Sequence, residues 1–335
     1  MKILVTGGAG FIGSHTVVAL VEAGFEPIII DDFSNSQKRA LDGLEKILGK
    51  SVKCYEADCN NLETLQTIFR EEQIKGVIHF AAFKAVGESV KNPLKYYENN
   101  IGSLVTLLKA MNTEGVQNII FSSSATVYGL SKELPATEKT PTQKAMSPYG
   151  MTKQMGEDIL SDVVTSGAAI KAISLRYFNP IGAHPSALIG ELPLGVPNNL
   201  VPFITQTGAG IREKLTVYGD DYETPDGTCL RDYIHVSDLA DAHVAAIKML
   251  LGLEKDNYYN VYNVGTGNPN SVLEVIKTFE EVSGKPLNYE IGARRGGDVP
   301  ALYADASKIT TELGWTAKHS MRQALEDAWR WQESL

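Results

Sequence analysis

The stretch "KILVTGGAGFIGSH" (residues 2–15) constrains this chain more than any other. A short apolar run rich in β-branched residues stops at glycines, and a helical pattern begins at once behind them. Gly7, Gly10 and Gly13 are three apart, and Gly8, Gly10 and Gly13 also satisfy the spacing of a dinucleotide-binding turn. The reason for that spacing is steric and electrostatic. Glycines permit a tight turn and close backbone approach, and the N–H groups of the following helix start face an anionic group such as a pyrophosphate. Alone a glycine triplet says little, but here it stands in the strand–turn–helix context that the mechanism requires.

The rest of the first half repeats that alternation. Apolar runs occur at 2–8, 27–32, 52–58, 76–82, 118–124 and 170–179, with helical patterns between them at 11–23, 62–72 and 93–111. Strands separated by helices predict right-handed βαβ units, and continuous apolar runs predict strands covered on both faces. Residues 180–230 are rich in Pro, Gly and Asn, too long for a plain connector. Regular pattern returns at 231–236, 237–250, 257–265 and 271–282, and "MRQALEDAWRWQ" (321–332) reads as an amphipathic helix. The expected fold class is therefore α/β. A Rossmann-type doubly wound parallel sheet occupies 1–179, with some later segments returning to it, and a smaller mixed α/β C-terminal substrate lobe occupies mainly 180–335.

Composition narrows the partners. The 335 residues carry 31 Lys plus Arg against 40 Asp plus Glu, a net charge of −9. Such a chain is a poor general partner for nucleic acid or for an anionic membrane, so an anionic ligand must be held by a few placed cations or helix N-termini. Cys54, Cys59 and Cys229 are an odd, scattered set. They suggest no disulfide framework, fit a reducing cytoplasm and offer no metal-ligand spacing. No signal peptide or membrane-spanning run is expected.

The second strand ends at Asp31-Asp32, where an acid is placed to hydrogen-bond an adenosine ribose. A carboxylate there repels a 2′-phosphate, and no arginine follows until Arg39, which favours NAD over NADP. Asp58 ends the third strand and is a second candidate for the adenosine end. "SPYGMTK" (147–153) supplies a different chemistry. Ser147 is a cap and Pro148 suits a first helical turn, so Tyr149 and Lys153, four apart, share one face. Ser124 closes the fifth strand and faces the same ligand crevice. A tyrosine is a poor base at neutral pH, and an adjacent ammonium and a cationic nicotinamide both favour its phenolate. The three residues together predict a proton acceptor beside a hydride acceptor.

"TGGAGFIGSH", "HFAAFKAVGESV", "FSSSATVYG", "SPYGMTK", "RYFNPIGAHPS", "PNNL", "DGTCLRDYIHVSDLADAH" and "RRGGDVPALYADASK" together give a resemblance over nearly the whole chain. It resembles the extended short-chain dehydrogenase/reductase family and, within it, the UDP-galactose 4-epimerases. The resemblance implies Tyr149 as catalytic base, Lys153 as its partner and ribose ligand, and Ser124 as a hydrogen-bonding helper. It implies NAD contacts from Phe11, Ile12, Asp31, Asn35, Ser36, Asp58, Phe80, Ala81, Lys84, Asn99 and Phe178. It implies UDP-sugar contacts from Asn179, Asn199, Leu200, Tyr218, Arg231, Arg295 and Asp298, with Leu302 bordering the sugar. Arg231 and Arg295 suit a diphosphate, Tyr218 a uracil ring, and Asp298 ribose hydroxyls. An ion pair of Arg231 with Asp232 is the competing reading of that arginine.

The implied reaction interconverts UDP-galactose and UDP-glucose through a 4-keto sugar, with NAD retained across turnovers. Several competitors share the fold. A sugar-nucleotide 4,6-dehydratase needs an Asp-Glu pair after the position of Ser124, where this chain has Ala125 and Thr126. A uronic acid epimerase needs a cation for the sugar carboxylate. A non-catalytic dinucleotide sensor needs neither Tyr149 nor Lys153. Where hexose-restricted relatives tend to carry a tyrosine, this chain has Leu302, which leaves room for an N-acetyl group. Family members usually pair as homodimers through helices near 93–111 and 148–166.

Overall fold

Seven parallel strands build the main sheet: β1 (Lys2–Thr6), β2 (Glu26–Asp31), β3 (Cys54–Glu56), β4 (Gly76–His79), β5 (Asn118–Ser124), β6 (Lys171–Tyr177) and β10 (Tyr258–Val264). Their spatial order is β10-β6-β5-β4-β1-β2-β3. The chain leaves β1 in one direction to β2 and β3, then returns and continues the other way through β4, β5, β6 and β10. The order therefore reverses between β1 and β4, and a crevice opens at the carboxyl ends of the strands there. This computed structural model describes residues 1–131 and 133–335.

Alternation along the strands sends side chains to two cores. Ile3 and Val5 of β1 join Ile29, Ile78 and Ile120 on one face, under the helices Phe11–Glu22 and Val236–Gly252. Leu4 joins Ile28, Val77 and Ile119 on the other, under Leu62–Glu72 and Gly102–Glu114. Lys171 reaches out of β6 to donate to the carbonyls of Leu250 (3.0 Å) and Leu253 (3.2 Å), capping Val236–Gly252 from below. So β10 and that helix, both from the C-terminal half of the sequence, belong to the main sheet.

The remaining strands stand apart: β7 (Asn179–Ile181), β8 (Leu215–Tyr218), β9 (Leu230–His235), β11 (Pro269–Ser271), β12 (Tyr289–Gly292) and β13 (Ala301–Leu302). β9 pairs with β7 and β13 in parallel and with β11 antiparallel, while β12 pairs with β8. Helices Leu200–Gly208, Val272–Ser283 and Met321–Glu333 pack on them around Phe279, Leu325 and Trp329.

Two sequence expectations are refined. The run at 170–179 is not one strand. Phe178 lies between β6 and β7 and carries the chain from the main sheet to the second sheet. The helix expected over 93–111 is interrupted: Pro93–Tyr96 is followed by a π-helical turn, Tyr97–Ile101, before Gly102–Glu114 begins. The physical reason is Asn100. Its amide donates to the Phe83 carbonyl (3.0 Å) and the Thr152 hydroxyl (3.1 Å), and its oxygen accepts from Phe83 N–H (2.9 Å). A widened turn is the local adjustment that accompanies these bonds, and such bulges recur at functional sites.

His15, His79 and His243 are buried in this fold. Burial pushes them down to about 3, 3 and 4 respectively, so all three are neutral at pH 7. Their folded values lie below the unfolded value, so the stability they contribute is complete above about pH 6.5 and is lost as pH falls toward the folded values, at up to about 1.4 kcal/mol per pH unit for each. Thermal melts between pH 7 and pH 4 should therefore show a steep acid loss. His243→Gln, whose amide can still donate to the Leu239 carbonyl that faces His243 Nδ1 at 2.8 Å, should flatten that profile. An unchanged slope in the variant would contradict the assignment.

Candidate active site

The glycine loop lies at the reversal point. Gly7 adopts φ +68, and a Cβ there would approach Ala81 N at 3.0 Å, on the loop that leaves β4. At Gly13 a Cβ would sit 2.3 Å from the Gly7 carbonyl oxygen, so the helix start can approach the turn only without a side chain. Asp31 ties the loop to the end of β2. Its carboxylate accepts from Ala9 N (3.0 Å), Phe33 N (3.0 Å) and the Ser36 hydroxyl (2.7 Å). A carboxylate has about four acceptor sites, so Asp31 shapes the loop and retains capacity for a ribose hydroxyl.

A cleft of about 300 Å³ runs from this loop over the carboxyl ends of the strands. It brings together Gly7, Gly10, Phe11, Ile12, Gly13, Asp31, Asn35, Ser36, Asp58, Phe80, Ala81, Lys84, Asn99, Tyr149 and Lys153. All were candidates for the dinucleotide, and the backbone cradle of the glycine loop and the Asp31 carboxylate are chemistry that suits such a ligand. Two candidates do not line it. Ser124 lies behind Tyr149, and Phe178 is buried beside Tyr128, with ring centres 6.5 Å apart.

Ser147 caps the helix Pro148–Thr165 by accepting from Gly150 N at 3.1 Å, and Pro148 occupies its first position. Tyr149 and Lys153 therefore share the face toward the cleft. The ammonium of Lys153 donates to the Ser122 carbonyl at 2.6 Å and lies 5.0 Å over the Phe121 ring and 5.9 Å from the Tyr149 ring centre. Burial pushes this amine down to about 7. Tyr149 is half-buried against the open cleft, yet enclosed enough that burial raises its pKa, while a hydrogen bond with Ser124 opposes the rise. This differs from the sequence expectation of an ammonium that acidifies the phenol. The protein's own surroundings favour the neutral form of both groups.

The residues expected to hold substrate fall into two groups. Asn199 lines the cleft, and Leu200 starts the helix behind it. Tyr218, Arg231, Arg295 and Asp298 gather elsewhere in the second lobe. Asp298 accepts from Arg295 at 2.9 Å, lies 3.6 Å from Arg231, and Arg295 stands 5.6 Å over the Tyr218 ring. The ion pair of Arg231 with Asp232 is not formed. Asp232 instead accepts from the backbone of Thr266 (2.9 Å), Gly267 (3.0 Å) and Ala304 (3.1 Å). Asp298, expected to meet ribose hydroxyls, is engaged by both arginines. Asn179 pairs with Tyr233 in the second sheet, and Leu302 stands beside Arg231 in register while packing on the cluster of Ala125, Tyr128 and Phe178. None of these six lines the cleft.

Among the cleft residues that had not been singled out in the sequence are Ser122, Tyr177, Glu191 and Trp331. The Tyr177 hydroxyl donates to the Ser122 hydroxyl, whose residue also takes Lys153. Strand alternation carried a signal for Ser122, since it shares a face with Ser124 two residues on. Tyr177 is the register partner of Ser124 across β5 and β6, a pairing invisible before the sheet order is known. Glu191 and Trp331 lie in the irregular segment and the last helix, where no local pattern pointed to a site. Among the described residues no group of His, Cys, Asp and Glu is arranged to hold a metal ion.

Comparison with known proteins agrees with this geometry. The family described as GDP-mannose 4,6 dehydratase matches residues 4–328. A curated UDP-glucose 4-epimerase of Bacillus subtilis (strain 168) is 50% identical over 334 residues, covering 100% of this chain and 97% of its own length. The solved UDP-glucose 4-epimerase of Bifidobacterium longum, in complex with NAD+ and UDP, superposes with a TM-score of 0.95 at 49% identity, covering 100% of this chain and 98% of that one. The enzyme of Stenotrophomonas maltophila, with NAD and a formylated UDP-arabinopyranose, gives a TM-score of 0.96 at 45% identity over 100% and 98%. The chain belongs to the extended short-chain dehydrogenase/reductase family, within its UDP-glucose 4-epimerase group.

Proposed function

We propose that this protein is an NAD-dependent epimerase that interconverts UDP-galactose and UDP-glucose. The observation that supports the reading is that Tyr149 and Lys153 line the cleft bordered by the glycine loop, with Ser124 hydrogen-bonded to Tyr149 and the Lys153 amine held by the Ser122 carbonyl. NAD, when bound, supplies the acceptor for the C4 hydride and its later return to the opposite face of a 4-keto sugar. The chain's own residues do the rest. Tyr149 takes the proton of the C4 hydroxyl and gives it back, Ser124 hydrogen-bonds at the same place, and Lys153 holds its position from the Ser122 carbonyl. Asp31 favours NAD over NADP, since Arg39 is committed to the Trp331 ring (5.1 Å) and the Ser334 carbonyl (3.3 Å).

The dehydratase reading, which the family description alone would suggest, lacks its acid. Ala125 and Thr126 begin the short 3₁₀ turn after Ser124. Arg231 and Arg295 are read as the diphosphate clamp, Tyr218 as the uracil face, and Asp298 as a residue that exchanges arginine for ribose. Asn179, Asn199 and Leu200 complete the substrate set, and Phe178 completes that of the cofactor. In this reading the segment 1–179 carries NAD, joined by later segments, and 180–335 mainly carries the UDP-sugar. A cytoplasmic homodimer is also proposed. Three free cysteines fit a reducing compartment, no helix among the described residues is long and apolar enough to cross a membrane, and Leu94 and Met155 leave apolar surface at 79% and 37% exposure on the helices expected to pair.

Three outcomes test the reading. Tyr149→Phe should lower kcat on UDP-galactose by about 10²–10⁴-fold, the usual range for a lost acid–base group, while NAD remains bound. A variant of near-native rate would remove Tyr149 from the reaction. In NAD-free protein, Lys153 has a folded pKa below its unfolded one, so the charged amine burdens the fold fully below about pH 7 and progressively less as pH rises toward 10.5. The melting temperature of Lys153→Met relative to native should therefore be most favourable below pH 7 and decline as pH rises to 10, whereas a difference that is flat with pH contradicts a depressed amine. Lastly, the native enzyme should convert UDP-N-acetylglucosamine as well as UDP-glucose, and Leu302→Tyr should reduce the N-acetylated reaction about tenfold more than the hexose one. No detectable N-acetylhexosamine conversion by native protein would reject this part.

A further inference from the structure

We infer that Glu191 is a positioning residue that clasps the cofactor side of the cleft to its substrate side. One carboxylate oxygen, Glu191 Oε1, accepts from Lys84 Nζ at 2.9 Å and from Asn199 Nδ2 at 2.7 Å. Lys84 follows β4 on the loop that meets the glycine turn, and Asn199 precedes the helix Leu200–Gly208. All three side chains border the same cleft. The inference rests on the assignment above, in which Lys84 serves the dinucleotide and Asn199 the nucleotide sugar.

The carboxylate is held from a firm base. The Glu191 carbonyl accepts from Trp331 Nε1 at 3.0 Å, and a Cβ on Gly190 would fall 2.5 Å from the Trp331 ring, so backbone and indole are in direct contact. Upstream, Arg330 donates to the Pro185 carbonyl (3.0 Å) and Ser334 to that of Ala187 (3.1 Å). The last helix thus anchors the root of the segment, and Glu191 reaches from that root into the cleft. Its side chain is 10% exposed against 50% for Lys84. A carboxylate so enclosed is strongly directed toward whichever donors are offered. Holding both donors on one oxygen sets their separation, and with it the spacing between the two ligand-binding halves.

The chemistry separates the two arms. Glu191→Gln removes the charge that attracts Lys84 and keeps an oxygen that accepts from Asn199. Glu191→Ala removes both. The dissociation rate of bound dinucleotide, followed by its fluorescence after reduction in the presence of a trap, should rise about three- to tenfold in Glu191→Gln, in Lys84→Met and in the double variant alike. The KM for UDP-galactose should change less than twofold in Glu191→Gln and rise severalfold in Glu191→Ala. A native dissociation rate in Glu191→Gln, or effects of Glu191→Gln and Lys84→Met that multiply in the double variant, would overturn the clasp. So would a native KM in Glu191→Ala. Should the alanine variant fail to fold, the glutamine variant and the double variant still decide. Dinucleotide release needs no turnover, so a native protein that did not epimerise UDP-galactose would give a result distinct from failure of the clasp.

Discussion

A buried ion pair fixes the helix that carries Tyr149 and Lys153. Tyr149, Lys153 and Glu157 follow one another at four-residue spacing along the helix Pro148–Thr165. Two face the cleft, and the third turns down to Arg176 on β6, with Nε at 2.9 Å and Nη2 at 2.5 Å. Ser123 of β5 donates to the same carboxylate. Arg176 also donates to the Tyr128 hydroxyl at 3.1 Å, which in turn donates to Asn263 of β10 at 2.5 Å. The helix is thereby locked to three strands and to the turn after Ser124. Removing one partner of such a pair leaves a charge without compensation and costs about 3–5 kcal/mol. A shift of one helical turn would therefore break the pair as well as misplace the phenol.

The environment that locks the helix also bears on the two side chains that face the cleft. Lys153 has a carbonyl and an aromatic face for company, and burial lowers its pKa to about 7. The same burial raises that of Tyr149. Burial disfavours the charged form of both groups. On the proposed function, a cationic nicotinamide held in the cleft would add the positive charge that favours the Tyr149 phenolate. On that reading proton transfer would be coupled to the redox state of the ring, because loss of its positive charge on reduction would withdraw support for the phenolate.

Much of this was legible in the sequence where a local rule governs. The strand–glycine–helix turn, the fifth strand at 118–124 and the helix 62–72 coincide with the structure, because turn sterics and apolar periodicity determine them within a few residues. Ser147, Pro148, Tyr149 and Lys153 were readable for the same reason. What escaped depends on distant partners. Asn100 opens a π-helical turn only because Phe83 and Thr152 stand beside it. The neutral tendency of Tyr149 is a matter of enclosure, which spacing along a helix cannot express. Tyr177 meets Ser122 only after β6 lies against β5, and Glu191 meets Lys84 across 107 residues of chain.

The central claim is that one sugar carbon lends its hydride and recovers the same one from the opposite face. The direct measurement is conversion of UDP-galactose carrying deuterium at C4, with unlabelled NADH in excess in solution and the product read by mass spectrometry. The account predicts that UDP-glucose retains essentially all the label at C4. Dilution of the label into the medium or the free NADH pool would contradict it.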